Sequence, residues 1–328
     1  ENNMQISCIY QQNQVAKISE INILEKDEIL NMLRSASAPI SGEEMSRALG
    51  VSRAAVWKAV DQLRQEGYAI EAATRRGYRL AALPDRLDAA VIAGDTGADV
   101  HVYEEVTSTN TVARQLAADG CPAGTCVLAE RQTAGKGRRG RGFASEAGGL
   151  YFSIVLRPGL LPEQIMHLTA MTAVAIRRAI LETTGLDVGI KWTNDLVYDR
   201  RKLCGILTEL AAEADSGMLE YAVVGIGVNC NTDTASLPEP ARDVAVSLRE
   251  AVGTAVDPNA LAAAMVRRLH ELDTQLPGAL PQWLAEYAGV CVTLGQDVQI
   301  LRAGETRLAH AIGIDEAGGL IVRYPDGT

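Results

Sequence analysis

Ser41-Gly42-Glu43-Glu44-Met45-Ser46-Arg47-Ala48-Leu49-Gly50-Val51-Ser52-Arg53-Ala54-Ala55-Val56 holds two helix starts and one helix stop within sixteen residues. Ser41 with Glu44 reads as a capping box, in which a serine hydroxyl accepts from a backbone N–H at the helix start. Gly50 stands where a short helix must end in left-handed backbone. Ser52 caps a second helix, predicted from Arg53 to about Gln65, whose Val56, Val60 and Leu63 repeat at helical spacing and make a buried stripe. Ahead of both, Ile29, Leu30 and Leu33 mark another apolar helical face, and Gly67 closes the second helix. Short strands follow near Tyr68–Ile70 and Tyr78–Leu80, with a turn at Arg76-Gly77. Helix, short helix, glycine turn, helix and hairpin make a winged helix-turn-helix. The helix that begins at Arg53 would enter a major groove by its N-terminus. Ser52, Arg53 and Lys58 would then meet phosphates or base edges, and Arg75 and Arg76 on the wing would meet backbone. The competing reading is a small helical bundle for protein contacts, with the arginines as a solvated face.

The whole chain has 328 residues, 47% of them hydrophobic and 22% charged, which excludes a disordered chain and a disulfide-built miniprotein. The length implies two or three domains. No long uncharged apolar window and no export signal are visible, so the expectation is a cytoplasmic protein without a membrane partner. The net charge is −10, which argues against nucleic-acid binding by the chain as a whole. Between Glu25 and Pro84, however, nine Lys/Arg face eight Asp/Glu, so the acidic excess lies elsewhere. Six cysteines (Cys8, Cys121, Cys126, Cys204, Cys230, Cys291) form no C-x-x-C pair and read as reduced thiols. Residues 1–24 lack periodicity and read as an appendage; the winged helix would cover 25–84.

Beyond it, residues 85–278 carry strand-like runs at 101–106, 125–131, 150–157, 188–198, 203–210 and 219–229. Helical patterns cover Pro162–Thr183, Asn259–Gln275 and roughly Asn110–Ala118. That mixture predicts an α+β domain on one large sheet. Residues 279–328 read as short strands at 290–293, 297–302, 307–315 and 319–323, a small β-barrel or sandwich.

Five constellations carry chemistry. Gln132-Thr133-Ala134-Gly135-Lys136-Gly137-Arg138-Arg139-Gly140-Arg141-Gly142 packs four glycines and four cations into eight positions. Glycine lets backbone N–H groups approach an anion and the cations supply charge. It is neither a P-loop nor a Rossmann turn, because the spacing is wrong and no acidic residue follows in a βαβ context. Lys191-Trp192-Thr193-Asn194-Asp195-Leu196 displays a lysine, an amide and a carboxylate at the end of a strand run, or is a surface turn. In Arg201-Lys202-Leu203-Cys204-Gly205-Ile206-Leu207, Lys202 heads an apolar strand and either snorkels out or faces an anion. Val223-Val224-Gly225-Ile226-Gly227-Val228-Asn229 has two glycines that weaken a strand unless something packs close. Thr107-Ser108-Thr109-Asn110 sits where a strand meets a helix, and alone reads as an N-cap.

These strings, in this order and behind a winged helix, resemble one family: the bifunctional biotin–protein ligases and biotin operon repressors of BirA type. The resemblance runs from about Lys26 to the end. It implies a class II synthetase-like ligase domain on a mixed sheet and a C-terminal SH3-like β-barrel. It implies that ATP and biotin form biotinyl-5′-AMP and pyrophosphate, after which biotin passes to a lysine of a biotin carboxyl carrier protein or domain of acetyl-CoA carboxylase. It also implies biotin-responsive repression at operator DNA, with biotinyl-5′-AMP as corepressor and a ligand-induced homodimer. By the same resemblance Ser108, Thr109, Asn110, Gln132 and Gly205 look like biotin-binding groups, and Lys136, Gly137 and Arg138 look like the loop that orders over both biotin and the adenylate. Lys202 looks like the lysine that meets the biotin carboxylate and the adenylate phosphate. Lys191, Asn194 and Asp195 look like the nucleotide side, with Asp195 toward Mg²⁺, and Arg141 and Asn229 like further adenylate contacts. The catalytic group would be Lys202, Arg138, Lys191 and Asp195.

The chemistry is compatible with the residues, since joining two anions needs cations and no covalent enzyme nucleophile. The sequence departs from the family pattern at Lys136, where many members have Arg, and at Thr193, where Pro is common. Ala245 stands where some members place a Trp over the adenine, and Pro238 and Pro240 would stiffen that loop instead. The chain ends at Pro325-Asp326-Gly327-Thr328, so the barrel is expected to be truncated. The alternatives are a ligand-sensing regulator without ligase activity and a lipoate-type ligase, whose usual Arg-x-x-Gly-Gly-Gly signature is absent.

Overall fold

A computed structural model describes residues 26, 28–30, 32–33, 35–36, 38–65, 67–73, 76–82, 86–94, 96–157, 165–212, 219–276, 278–302 and 305–327. The appendage at 1–24 and the wing residue Arg75 lie outside these. Contacts divide the chain into two compact units, one ending at Arg86 and the other beginning at Leu87.

The first unit is the helix-turn-helix with its wing. Helix α1 (Gly42–Leu49) starts at Ser41, whose Oγ accepts from Glu44 N at 3.1 Å, and stops at Gly50 with φ 69°. Helix α2 (Arg53–Gln65) is capped by Ser52, whose Oγ accepts from Ala55 N at 3.1 Å. Val56, Ala59, Val60 and Leu63 of α2 are buried with Met45, Ile29, Leu30 and Leu33. Strands β1 (Ala69–Ala73) and β2 (Gly77–Ala82) form the antiparallel wing. Gly77 has φ 104°, and a Cβ there would lie 2.0 Å from the Ile40 carbonyl oxygen, so only glycine lets β2 bridge to Ile40.

The second unit begins with helix α3 (Ala89–Gly94) and strand β3 (Val100–Val106). Helix α4 (Thr109–Ala118), β4 (Cys126–Gln132) and β5 (Leu150–Leu156) follow. The long helix α5 (Ile165–Thr184) precedes β6 (Gly189–Lys191), β7 (Asp195–Tyr198), β8 (Arg201–Ala212) and β9 (Leu219–Val228). Then come α6 (Ala241–Val244), α7 (Leu248–Val252), α8 (Pro258–Gln275) and α9 (Leu280–Gly289). The seven strands order as β3-β4-β5-β9-β8-β7-β6, with β3–β4 parallel and the other pairs antiparallel. Helices α5, α8 and α9 join the main core on one face, and α4 packs with Val127, Val155 and Val223 in a second cluster. Burial on both faces explains why β5 and β9 read as nearly continuous apolar runs.

Two sequence expectations are revised. The run 188–198 is two strands, β6 and β7, joined by a turn at Trp192–Asn194. Residues 280–289 are helix α9, and Cys291 only bridges to Ile190. The rest of the C-terminal segment is β10 (Asp297–Arg302), β11 (Glu305–Ile314) and β12 (Leu320–Arg323), an open antiparallel sheet, with no barrel closure among the described residues. No helix of the described residues is long and apolar enough to cross a membrane.

Candidate functional site

The strands β4, β8 and β9 and the start of α4 converge on one cavity of about 60 Å³, lined by Ser108, Thr109, Asn110, Gln132, Lys136, Gly137, Arg138, Phe143, Asn194, Lys202 and Gly205, among others. A second cavity of about 340 Å³ lies between the cationic loop, with Arg138, Arg139 and Arg141, and the turn Trp192–Asp195. A third, about 140 Å³, is lined by Phe143, Cys204, Asn229, Leu237 and Ala245. Lys202 lines all three.

Each group is positioned by a local cause. Ser108 occupies the N-cap of α4, yet its hydroxyl makes no capping bond, and it is buried against the cavity. Ser108 is thus a cavity-lining residue and not a side-chain cap. Thr109 N and Oγ1 donate to Gln132 Oε1 at 2.8 and 3.1 Å, and Gln132 Nε2 donates to Ser145 Oγ at 2.7 Å. Asn194 is pinned to β8 by Nδ2 donating to Ile206 O at 2.9 Å, which leaves its Oδ1 to accept from Arg138 Nη1 at 2.8 Å. Lys202 Nζ stands 2.8 Å from Asp195 Oδ1 and 5.7 Å from the centre of the Phe143 ring. Asn229 Nδ2 donates to Lys202 O and Val246 O at 3.3 and 3.2 Å, so it clips the start of β8 to the loop before α7.

The two glycines of β9 have the close neighbours their composition implied. A Cβ on Gly225 would lie 2.1 Å from Asn110 Oδ1, and one on Gly227 would lie 2.5 Å from the Phe143 ring. Phe143 lies across Gly205 and Gly227, and this keeps the inner cavity far below the several hundred Å³ of a ligand-sized pocket.

Lys191 does not join this group. It is exposed on β6 and lines a separate groove of about 540 Å³ with Gly189, Val197 and Val292. Cys204 is no nucleophile, because burial, with Asp195 adding to it against Lys202, raises its thiol far above the usual range. The sequence reading missed Phe143, Ser145, Ser153 and Glu209. Phe143, one of two phenylalanines in the chain, follows the cationic loop directly and was the visible signal. In the first unit, Ser52, Arg53, Lys58 and Arg76 are exposed, as is Trp57 at 59%.

A sequence model of the Biotin/lipoate A/B protein ligase family matches residues 102–229, and one of the HTH domain matches residues 25–79. The bifunctional ligase/repressor BirA of Bacillus subtilis is 34% identical over 312 residues, 93% of this chain and 95% of that one. BirA of Escherichia coli is 30% identical over 285 residues, 86% and 87% of the two chains. The biotin protein ligase from Aquifex aeolicus, solved in complex with biotin and ATP, superposes with a TM-score of 0.60 at 27% identity, covering 70% of this chain and 93% of that one. Because these likenesses take in the helix-turn-helix and the seven-stranded sheet in a single stretch, the chain belongs to the BirA family of bifunctional ligases and repressors.

Proposed function

We propose that the chain joins biotin to a carrier-protein lysine through biotinyl-5′-AMP, and that it represses transcription at an operator in response to that intermediate. The observation that carries the ligase reading is the position of Lys202 where three cavities meet. A carboxylate from one cavity and a phosphate from the next can share its charge only at such a junction. In this reading the biotin ring lies among Ser108, Thr109, Asn110, Gln132 and Gly205, beneath Lys136, Gly137 and Arg138. The triphosphate lies along Arg138, Arg141, Asn194 and Asp195. The adenine occupies the third cavity, where Phe143 and Ala245 face it and Asn229 forms a wall.

The carboxylate attacks the α-phosphate, a P–O bond forms, and pyrophosphate leaves with the electron pair of the broken bond. Lys202 and Arg138 offset the repulsion between the two anions. The acceptor amine then attacks the carbonyl of the mixed anhydride, loses a proton, and AMP leaves.

Mg²⁺ would accompany ATP and offset phosphate charge. No cluster of three His, Cys, Asp or Glu among the described residues would hold a metal by itself. Asp195 Oδ1 is buried, with the Lys202 ammonium 2.8 Å away as its partner, and a hard oxygen donor of this kind suits Mg²⁺. Asp195 is thus the residue that would hold it.

For repression, Ser52, Arg53, Lys58 and Arg76 are proposed DNA contacts, and a ligand-induced homodimer is the proposed DNA-binding form. The chain's setting is proposed to be the cytoplasm. Incubating the chain with α-labelled ATP and biotin should yield a biotin-dependent labelled adenylate, and adding a carrier domain should then release labelled AMP while biotin passes to the carrier. An adenylate formed with lipoate instead, or none with either acid, would replace this reading by the lipoate-type or the purely sensory one.

A further inference from the structure

We propose that Glu209 is a positioning residue, whose carboxylate fixes the direction of the Asn110 amide and thereby the donor–acceptor pattern offered to the biotin ring; this rests on the reading of the inner cavity as the biotin site. Glu209 lies on β8, opposite Val223 of β9. Asn110, 3% exposed at the start of α4, donates from Nδ2 to Glu209 Oε2 at 2.8 Å. An ionised carboxylate only accepts, so the amide nitrogen must face Glu209 and Oδ1 must face the other way.

The next hydroxyl along, Ser153, meets the Asn110 oxygen that this direction exposes. Ser153, fully buried on β5, stands with Oγ 2.7 Å from Asn110 Oδ1 and 2.8 Å from Thr109 Oγ1. It has one proton and gives it to one of these oxygens at a time. Thr109 donates to Gln132, Gln132 to Ser145, and Ser145 to the Phe143 carbonyl at 3.0 Å. The only charge on this line is Glu209, steadied by Arg114 Nη1 at 3.6 Å from Oε1. Gly225 supplies the space in which Asn110 Oδ1 sits. A cyclic urea carries one acceptor between two donors, so a flipped Asn110 amide would present a donor where the ring also donates. Removing the Glu209 acceptor removes the only charged reason for the present direction.

The test is steady-state biotin-dependent adenylation by the full chain, with KM measured separately for biotin and ATP. Glu209→Leu should raise KM for biotin by about tenfold or more, the range for a hydrogen bond to a charged group, while KM for ATP stays within about threefold. Glu209→Gln can still present an oxygen to Asn110 and should stay within about threefold of wild type on both. Asn110→Asp sets two carboxylates against each other and should raise KM for biotin by about tenfold or more. Asn110→Asp combined with Glu209→Gln restores a donor–acceptor pair with an oxygen still facing Ser153, and should recover most of that loss even if Glu209→Leu fails to fold. A Glu209→Leu enzyme with unchanged KM for biotin, or a double variant no better than Asn110→Asp alone, overturns the role. A wild-type chain that forms no adenylate from biotin overturns the site reading itself, and the role with it.

Discussion

A single side chain, Lys202, decides whether the three cavities work as one site. Its ammonium is held 2.8 Å from Asp195, so it is aimed before any ligand arrives. Replacing it by Met keeps the stem and removes the charge. The expected loss is about 3 kcal/mol in transition-state binding, typical of one preorganised electrostatic group, which is a hundredfold or greater fall in kcat/KM. Steady-state kinetics that place Lys202→Met within tenfold of wild type would show a lysine that only snorkels. At this scale much was legible. Lys202 stood out because a lysine in an apolar strand needs a reason, and Gly225 and Gly227 because glycines in a strand need a neighbour. Glu209 was not legible, since a glutamate at the far end of the same strand looks like ordinary solvated charge. Lys191 misled, because proximity in sequence to Asn194 and Asp195 does not carry its side chain across the turn that separates β6 from β7.

That turn is the element on which the nucleotide side depends, and it is held from behind. Tyr287 of α9 is fully buried and donates to Thr193 O at 3.0 Å, Trp192 N donates to Thr293 Oγ1 at 2.9 Å, and Trp192 Nε1 donates to Gly318 O at 3.1 Å. Tyr287→Phe leaves a buried carbonyl without its donor and should cost about 1–3 kcal/mol of stability. It should also lower turnover, because Asn194 and Asp195 ride on the loosened turn. Urea denaturation and kcat on the same preparation check both. None of this backing was legible, because residues 279–328 read as short strands of a small β module and α9 was not expected there. Elsewhere in the second unit, the Glu250 carboxylate of α7 accepts from Thr234 Oγ1 at 2.6 Å and Thr234 N at 3.4 Å, while Glu250 N donates to Ser247 Oγ at 3.3 Å. Burial pushes its carboxyl up, but the hydrogen bonds from Thr234 and Ser247 outweigh that and hold it below its ordinary value of 4.5. A depressed carboxyl contributes stability that is complete above about pH 4.5 and fades as pH falls through the lower folded value. The stability gap between wild type and Glu250→Gln should therefore be present at neutral pH and shrink in acid, read as urea midpoints at each pH.

For the molecule as a whole, charge sets the problem that repression must solve. A winged helix with nearly balanced charge belongs to a chain of net −10, and DNA affinity comes largely from neutralising phosphates. One such unit should bind an operator weakly. Two held together would multiply that affinity through effective concentration. Sedimentation should therefore show biotinyl-5′-AMP driving monomers into dimers at tens of micromolar or below, with operator binding strengthened in parallel. Operator binding equally tight without the adenylate would refute the switch and leave the ligase assignment standing, because that rests on other residues. The helix-turn-helix ahead of a mixed-sheet domain was legible from caps, glycines and periodicity. The open C-terminal sheet was less so, since alternating short strands do not reveal whether they close on themselves.

The contact between Lys202 and Asp195 gives the resting enzyme a resident counter-ion. The Lys202 ammonium is already paired before substrates enter, so a stray anion of the cell meets an occupied lysine rather than an open one. Only a guest that can take the lysine while its companion takes the aspartate completes the exchange, and a metal-chelated triphosphate arriving beside a carboxylic acid is such a pair. Discrimination at this centre then lies in the swap of partners, and millimolar inorganic phosphate alone should be a poor inhibitor of adenylate formation.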